Sequence, residues 1–386
     1  MPRGWLLDVN SSLAGDSVEL WLKSEEGRVE GRSVPYRPPF FVAGPDERLE
    51  ELGRTLAEDR RVASVERVEL RTDLFEPPDR RHPALSVVPA RHGDRRALAM
   101  RADALGGYVT FTLFDVDLTA PQLYYIEHDL YPFAPVVWSG NDVLAREAAD
   151  VIEYDPPPLV LAELSVEVEG HRKGRLPSPS DPLRAVTLGG ERIEGTDERS
   201  TLERLLERLE AEDPDLLVTH GGDAFDVPQL YRRAVVHGFD ERRFRLGRGP
   251  TRFGLERKGR TFESYGRILH RAPTYPLVGR IHLDLGAQFV ADVGLEGFVD
   301  MARLSRLSLH VVSRQSPGTA FSSMELAVAL KDGVHIAWKK NYPEDEKSAR
   351  LLVAADRGGF ILTPPVGLAV GIDEFDFASL FPAIMV

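Results

Sequence analysis

Near the end of the sequence an aspartate stands inside an apolar run. The stretch DEFDFASLFPAIMV, residues 373–386, places Asp376 between Phe375 and Phe377. Phe381 precedes a proline and is pushed out of the helical region, whereas Pro382 suits the first turn of a helix. The expected geometry is a strand, a tight turn and a helix start, with the backbone N–H groups of Ala378 to Phe381 converging beside a carboxylate. Such a corner can hold a divalent cation through Asp376 and a triphosphate through the turn. An aspartate at a strand end with Ser379 as a helix cap accounts for the same residues without chemistry. Three further carboxylates stand out: Glu167 in LVLAELSVEV, Asp226 in HGGDAFDVPQL and Asp300 in EGFVDMARLSRL. Asp226 also reads as an N-cap ahead of Pro228, and Asp300 as an exposed helix position.

Cations concentrate in one place. The stretch from Arg242 to Arg260 carries Arg242, Arg243, Arg245, Arg248, Arg252, Arg257, Lys258 and Arg260 against one acid, Glu256, with two phenylalanines interleaved. A solvated basic hairpin and a nucleic-acid contact are both open at this point. The net charge of −13 argues against a protein coated in nucleic acid but permits a local basic groove. With no cysteine in 386 residues, disulfides and thiolate metal sites are excluded and an intracellular, cytoplasmic home is the default. No apolar stretch is long enough to span a bilayer, and MPRGWLLDVNSS lacks the apolar core of a secretion signal.

The elements that must position these residues follow from periodicity. Residues 1–155 read as short strands around one helix, DERLEELGRTLAED; SVELWLKSEEG alternates, and YVTFTLFDVDL is rich in aromatic and β-branched residues. Three prolines in YDPPPLVL mark a boundary near 155. An α/β rhythm then runs over 156–310: LVLAELSVEV, PDLLVTH and GRIHLDL are strand candidates. STLERLLERLEAED is a helix with Ser200 and Glu203 as a capping box, and VPQLYRRAVVHG is a second helix. Residues 311–386 form a remainder ending in the strand of Asp376. The expected class is a multidomain α/β and α+β protein: a mixed, β-rich N-terminal domain, a layered α/β domain and the start of a third.

The terminal string DFASLFPAIM resembles the first polymerase motif of the family B DNA polymerases, usually Asp-Phe-x-Ser-Leu-Tyr-Pro-Ser-Ile-Ile. Phe381 replaces the tyrosine and Ala383 the serine. SVPYRPPFFV, LFDVDLTAPQLYYIEHDLYP and GGFILTPPVGLAVGIDEFDF are similar to successive family segments, in the same order. The resemblance implies a ribonuclease-H-like exonuclease-type domain at 156–310 and the opening of the polymerase palm within 311–386. It implies Asp376 as a catalytic ligand of Mg²⁺ and Phe377, Ala378, Ser379, Leu380 and Phe381 as nucleotide-binding. The Phe381 ring would exclude a 2′-hydroxyl by bulk. Implied partners are primer–template or single-stranded DNA and a deoxynucleoside triphosphate.

The same resemblance makes the exonuclease motifs degenerate. An exonuclease of this class holds two Mg²⁺ ions on four carboxylates. Its Asp-x-Glu motif aligns with Ser165 and Glu167, although a register using Glu163 is open. Its Asn-x-x-x-Phe-Asp motif retains Phe225 and Asp226 but has Gly221 for asparagine. Its Tyr-x-x-x-Asp motif leaves Asp300, with Glu296 for tyrosine. Asp284 reads as structural. A hydroxyl in place of a ligand to a hard cation predicts a feeble or dead nuclease. The lysine helix and Asp-Thr-Asp hairpin that complete the family's polymerase site have no counterpart downstream of Asp376. The expectation is an N-terminal portion of a polymerase, or a subunit completed by a second polypeptide carrying the rest of palm, fingers and thumb. A silent DNA-binding scaffold and a stand-alone exonuclease are the rival readings.

Overall fold

The computed structural model describes residues 1–169, 177–178, 180–251, 253, 259–264, 267–271, 273–275, 277–286, 290–338, 347–355, 366–368, 370–373, 375, 377–378 and 380–385. Met1–Trp338 and Lys339–Val386 form two compact units.

The first unit opens with strands β1 (Arg3–Ser11), β2 (Ser17–Ser24), β3 (Val29–Pro35) and β4 (Phe40–Ala43). Helix α1 (Asp46–Ala57) follows, then β5 (Val62–Leu70), β6 (His82–Pro89), α2 (Arg95–Leu105) and β7 (Thr112–Phe114). Helix α3 (Ala120–Glu127), β8 (Ala134–Ser139) and β9 (Asp142–Ala145) complete this part. The strands make two sheets, β3-β2-β1-β8-β9 and β5-β6-β4-β7. The aromatic run at 108–118 yields only the three residues of β7, because the backbone turns at Asp115 with φ of 58°. That left-handed conformation breaks a strand whatever its side-chain pattern.

The layered part comprises β10 (Leu161–Val168), β11 (Leu183–Leu188), β12 (Glu191–Ile193), α4 (Glu198–Glu212), β13 (Leu216–Thr219) and α5 (Asp226–Val236). A hairpin, β14 (Arg260–Ser264) and β15 (Arg267–Arg271), precedes β16 (Ile281–Asp284). The sheet order is β12-β11-β10-β13-β16, with β10, β13 and β16 parallel and β11 antiparallel to both its neighbours. Strand β10 alternates: Ala162, Leu164 and Val168 are buried, and Leu161, Glu163, Ser165 and Glu167 are exposed. Its inner residues meet Leu202, Leu205 and Leu209 of α4 and Leu230 of α5 in one core. Helix α4 starts earlier than its leucine spacing suggests. Its cap is Asp197, with Ser200 returning the bond from the third helical position, so the capping box belongs to Asp197 and Ser200 and not to Ser200 and Glu203.

Helix α6 (Val290–Ser305), interrupted at Gly294 where φ is 71°, α7 (Leu309–Val312) and α8 (Pro317–Lys331) cover the other sheet face. The N-terminal sheet joins them there. A bulge between Leu6 and Asp8 turns Leu7 away from its neighbours. Leu7 and Trp21 thereby pack with Leu216, Ile281, Leu283 and Phe298, while Leu6 and Val9 stay in the N-terminal core. A polar seam reinforces the contact: Lys23 pairs with Asp215, both almost wholly buried, and donates to the Pro158 carbonyl at 2.7 Å. In the second unit α9 spans Ala349–Ala355 and α10 spans Leu380–Met385. The helix start expected at Pro382 forms, with residues 381–385 continuing α10 after Leu380. With Pro382 in the first turn, the ring's fixed φ favours the helix.

Candidate functional site

The parallel strands β10, β13 and β16 end along one edge, where the acidic candidates should gather. Asp226 is the first residue of α5, and Phe225 occupies the cap position without a side-chain bond. The Asp226 carboxylate therefore does not cap its own helix. It accepts the Val166 N–H at 3.1 Å, tying α5 to β10 beyond the last residue paired with β13. Burial pushes its pKa up to about 6, and the nearby charge of Asp284 adds to the rise. Asp284, at the end of β16, accepts the N–H groups of Gly221 (2.7 Å), Asp223 (3.0 Å) and Gly286 (3.0 Å). Burial opposes its ionisation, yet these backbone donors hold its pKa below the ordinary value. Gly221 itself sits at φ 88°, the conformation asparagine and glycine tolerate, but it brings no side-chain amide to the loop.

Behind this edge lies a buried ion network. Arg314 donates to Asp223 at 2.5 Å and to the carbonyls of His282 (3.0 Å) and His310 (2.8 Å). Burial, with the Arg314 charge beside it, drops the His282 pKa to about 3, so the ring is neutral and shares a 2.8 Å hydrogen bond with Thr219. The loop at 220–226 is thus held by fixed charges and backbone bonds.

The other candidates go elsewhere. Glu167 lies on the exposed face of β10 and pairs with Arg192 of β12 at 3.0 Å, which holds its pKa below the ordinary carboxylate value. Ser165 is on the same exposed face, and Glu163 lies 3.5 Å from His220. Asp300 accepts the Tyr154 hydroxyl at 2.6 Å. Its neighbour Arg303 is buried, stacks 3.3 Å over the Tyr154 ring and reaches the Val151 carbonyl. Asp300 thus fastens the proline-rich linker. Glu296 is exposed on the same helix. Of the four positions expected to share two metal ions, Asp226 reaches β10 at Val166, between Ser165 and Glu167, whereas Glu167 pairs with Arg192 and Asp300 with Tyr154. Among the described residues no group of three or more His, Asp or Glu side chains could hold a metal ion. As arranged, these residues do not fit a two-ion site.

The basic stretch divides sharply. Arg248 is nearly buried and donates to Asp213 (2.7 Å), Asp215 (3.0 Å) and the Gly279 carbonyl (2.7 Å). It is a structural cation. Arg243 lies over the Phe239 ring and 3.5 Å from Glu203. The two interleaved phenylalanines are core: Phe244 is buried, and Phe253 stacks on Tyr231 at 4.9 Å. Arg242 and Arg245 are exposed and line a depression of about 640 Å³ with Leu13, Ala14 and Pro250. Arg252, Arg257 and Lys258 lie outside the described residues, as does the side chain of Arg260, whose backbone belongs to β14.

That depression shares Leu13, Ala14 and Pro250 with a larger cleft of about 980 Å³, which Arg91, His92, Arg95 and Arg96 also line. Arg95 is buried and spends its guanidinium on the carbonyls of Asp115, Leu118 and Pro38. Arg91 and Arg96 are exposed. Sequence reading missed this second cluster. The run RHGDRR at 91–96 was its signal, diluted by being shorter than the 242–260 stretch.

Asp376 and Ser379 lie outside the described residues, and so does the side chain of Phe381. Phe377 and Ala378 precede α10 and Leu380 begins it; no strand forms among the described residues of 366–378.

The fold is similar to that of a larger, solved DNA polymerase. The family B DNA polymerase from the hyperthermophilic archaeon Pyrobaculum calidifontis superposes with a TM-score of 0.63 at 22% identity, over 89% of this chain and 53% of that one. DNA polymerase 1 of Pyrococcus abyssi is 25% identical over 324 residues, 71% of this chain and 40% of the relative. The DNA polymerase of Pyrococcus glycovorans is 28% identical over the same shares, and that of Thermococcus litoralis 28% identical over half of this chain. No protein-family model matches the chain. Its sequence relatives are DNA polymerases, and its fold is similar to that of part of a family B DNA polymerase. It spans 40% or less of the length of these sequence relatives.

Proposed function

We propose that this chain is the DNA-gripping portion of a family B DNA-directed DNA polymerase and that its exonuclease-like sheet is a scaffold without nuclease activity. In this reading residues 1–155 are the N-terminal domain, 156–310 the ribonuclease-H-like domain, and 311–386 the linker and start of the palm. Asp376 would supply one metal-binding carboxylate to a nucleotidyl-transfer site completed by residues outside this chain. A second polypeptide is one source of them.

The observation that carries the reading is the basic cleft. Arg91 and Arg96 from the N-terminal part and Arg242 and Arg245 from the layered part line adjoining depressions that share one wall. Their guanidinium groups suit phosphates. Replacing all four arginines by glutamine is expected to reduce the slope of log K against log salt for single-stranded DNA by about three, at roughly 0.7 per phosphate contact. Fluorescence anisotropy across a salt series measures it. An unchanged slope would remove the cleft as the DNA site.

The stand-alone exonuclease reading has no geometric support, since Glu167 and Asp300 are committed to Arg192 and Tyr154. Incubated with single-stranded DNA and Mg²⁺, the chain is expected to release nucleotides at background rate, with no change on Asp226→Ala. Digestion that Asp226→Ala abolishes would overturn the scaffold reading.

A further inference from the structure

Segment Val334–Trp338, the last of the first unit, runs along the edge of β7 as a short strap. Val334 bridges Arg71, and Ala337 bridges Phe114. The Asp115 N–H donates to the Ile336 carbonyl at 2.8 Å, and the Trp338 N–H to that of Leu113 at 2.8 Å. The buried Asp115 carboxylate hooks the strap twice, through the Ile336 N–H (2.9 Å) and the His335 Nδ1 (2.7 Å). At its end the Trp338 indole N–H donates to Asp117 Oδ1 at 3.0 Å. The same oxygen lies 3.4 Å from Arg96, whose guanidinium sits 5.7 Å from the centre of the Trp338 ring. Arg96 and Asp117 both line the 980 Å³ cleft.

One exposed guanidinium therefore serves two masters. We propose that Trp338 reads the occupancy of the cleft: a phosphate chain lodged there draws Arg96 away from Asp117 and the indole, and so loosens the strap at the residue where the first unit ends. This rests on the cleft being the DNA site. The physical basis is competition for a single cation. An exposed ion pair and a cation–π contact are each weak, so a phosphate that makes a charge-assisted bond to Arg96 shifts the balance. The coupling is reciprocal: whatever loosens the strap must also tighten binding, at most by the coupling factor.

The test uses the full chain labelled with 5-fluorotryptophan. Its four tryptophans give separate ¹⁹F resonances, with Trp338 assigned through Trp338→Phe and the buried Trp21 and Trp138 as internal references. On titration with a short oligothymidylate, and with inorganic polyphosphate, the Trp338 resonance is expected to move in step with anisotropy-measured saturation while Trp21 and Trp138 stay still. Arg96→Gln should abolish that movement and weaken binding about two- to fivefold, the range of an exposed charge contact. His335→Ala, which unhooks the strap, should strengthen binding by a similar factor. A Trp338 resonance that stays put at full saturation overturns the coupling and leaves the cleft reading standing. No binding in the anisotropy arm overturns both.

Discussion

Asp215→Ala is expected to lower the free energy of unfolding by about 3–5 kcal/mol, the usual cost of stranding a buried charge. Asp215 is 1% exposed. One carboxylate oxygen takes Lys23 and the Val160 N–H (2.9 Å), and the other takes Arg248 (3.0 Å). Arg280 is close by, bonded to Asp213 at 2.8 Å, and burial, with Arg248 next to it, brings its own pKa down to about 10. Removing Asp215 leaves three buried cations facing Asp213 alone. Lys23→Met should cost far less, about 1–2 kcal/mol, because Arg248 and the Val160 N–H still satisfy Asp215. Urea unfolding of the two variants at pH 7 measures the difference. A loss below about 1 kcal/mol for Asp215→Ala would mean that solvent reaches the network and that the ion pairs hold nothing. The functional consequence has a diagnostic sign. Lys23 belongs to the N-terminal sheet and Asp215 and Arg248 to the layered part, so the network ties the two parts together. Asp215→Ala removes a negative charge, yet it should weaken DNA binding, because a misplaced cleft wall outweighs a long-range attraction.

The second large effect is a stabilisation. Asp226→Asn should raise the unfolding free energy at pH 7 by as much as about 3 kcal/mol, the ceiling set by moving a carboxyl from 3.8 unfolded to about 6 folded. The folded state holds its proton more tightly than the unfolded chain, so this group's contribution declines as the pH rises from about 4 to 6 and is fully lost above. Asparagine keeps an acceptor for the Val166 N–H and carries no charge near Asp284. The two proteins should therefore be equally stable near pH 3.5 and diverge through pH 6. Asp8 is a second buried carboxyl at about 6, raised by burial despite bonds from Ser308 and Asn10, and supplies the same downward trend in both proteins. Thermal unfolding over that pH series reads the divergence; parallel curves would show Asp226 to be solvated.

Several elements could be read directly from residue order. Leu49, Leu52 and Leu56 of α1, and Leu202, Leu205 and Leu209 of α4, recur at helical spacing and are the residues the helices bury. The alternation in LVLAELSVEV anticipates the two faces of β10. The cap of α4 was misplaced by one turn because Asp197 and Ser200 have interchangeable chemistry, and only the backbone path chooses between them. The strand expected over 108–118 shrank to three residues for a related reason: neither its aromatic nor its β-branched residues announce the left-handed turn at Asp115. Arg248 resembled its exposed neighbours because an arginine's sequence context does not record the carboxylates that reach it from positions 213 and 215.

Residue order by itself determined the local elements, the resemblance to family B polymerases and the inventory of carboxylates and arginines. Those rest on periodicity and on contiguous strings, which involve only near neighbours along the chain. Tertiary structure alone decided which charges meet. It sent Glu167 to Arg192 and Asp300 to Tyr154, buried Arg248, and set Arg91 and Arg96 on a cleft contiguous with that of Arg242 and Arg245. A charge acts over a few ångströms of space, and residues some 150 positions apart come that close only when the sheets pack.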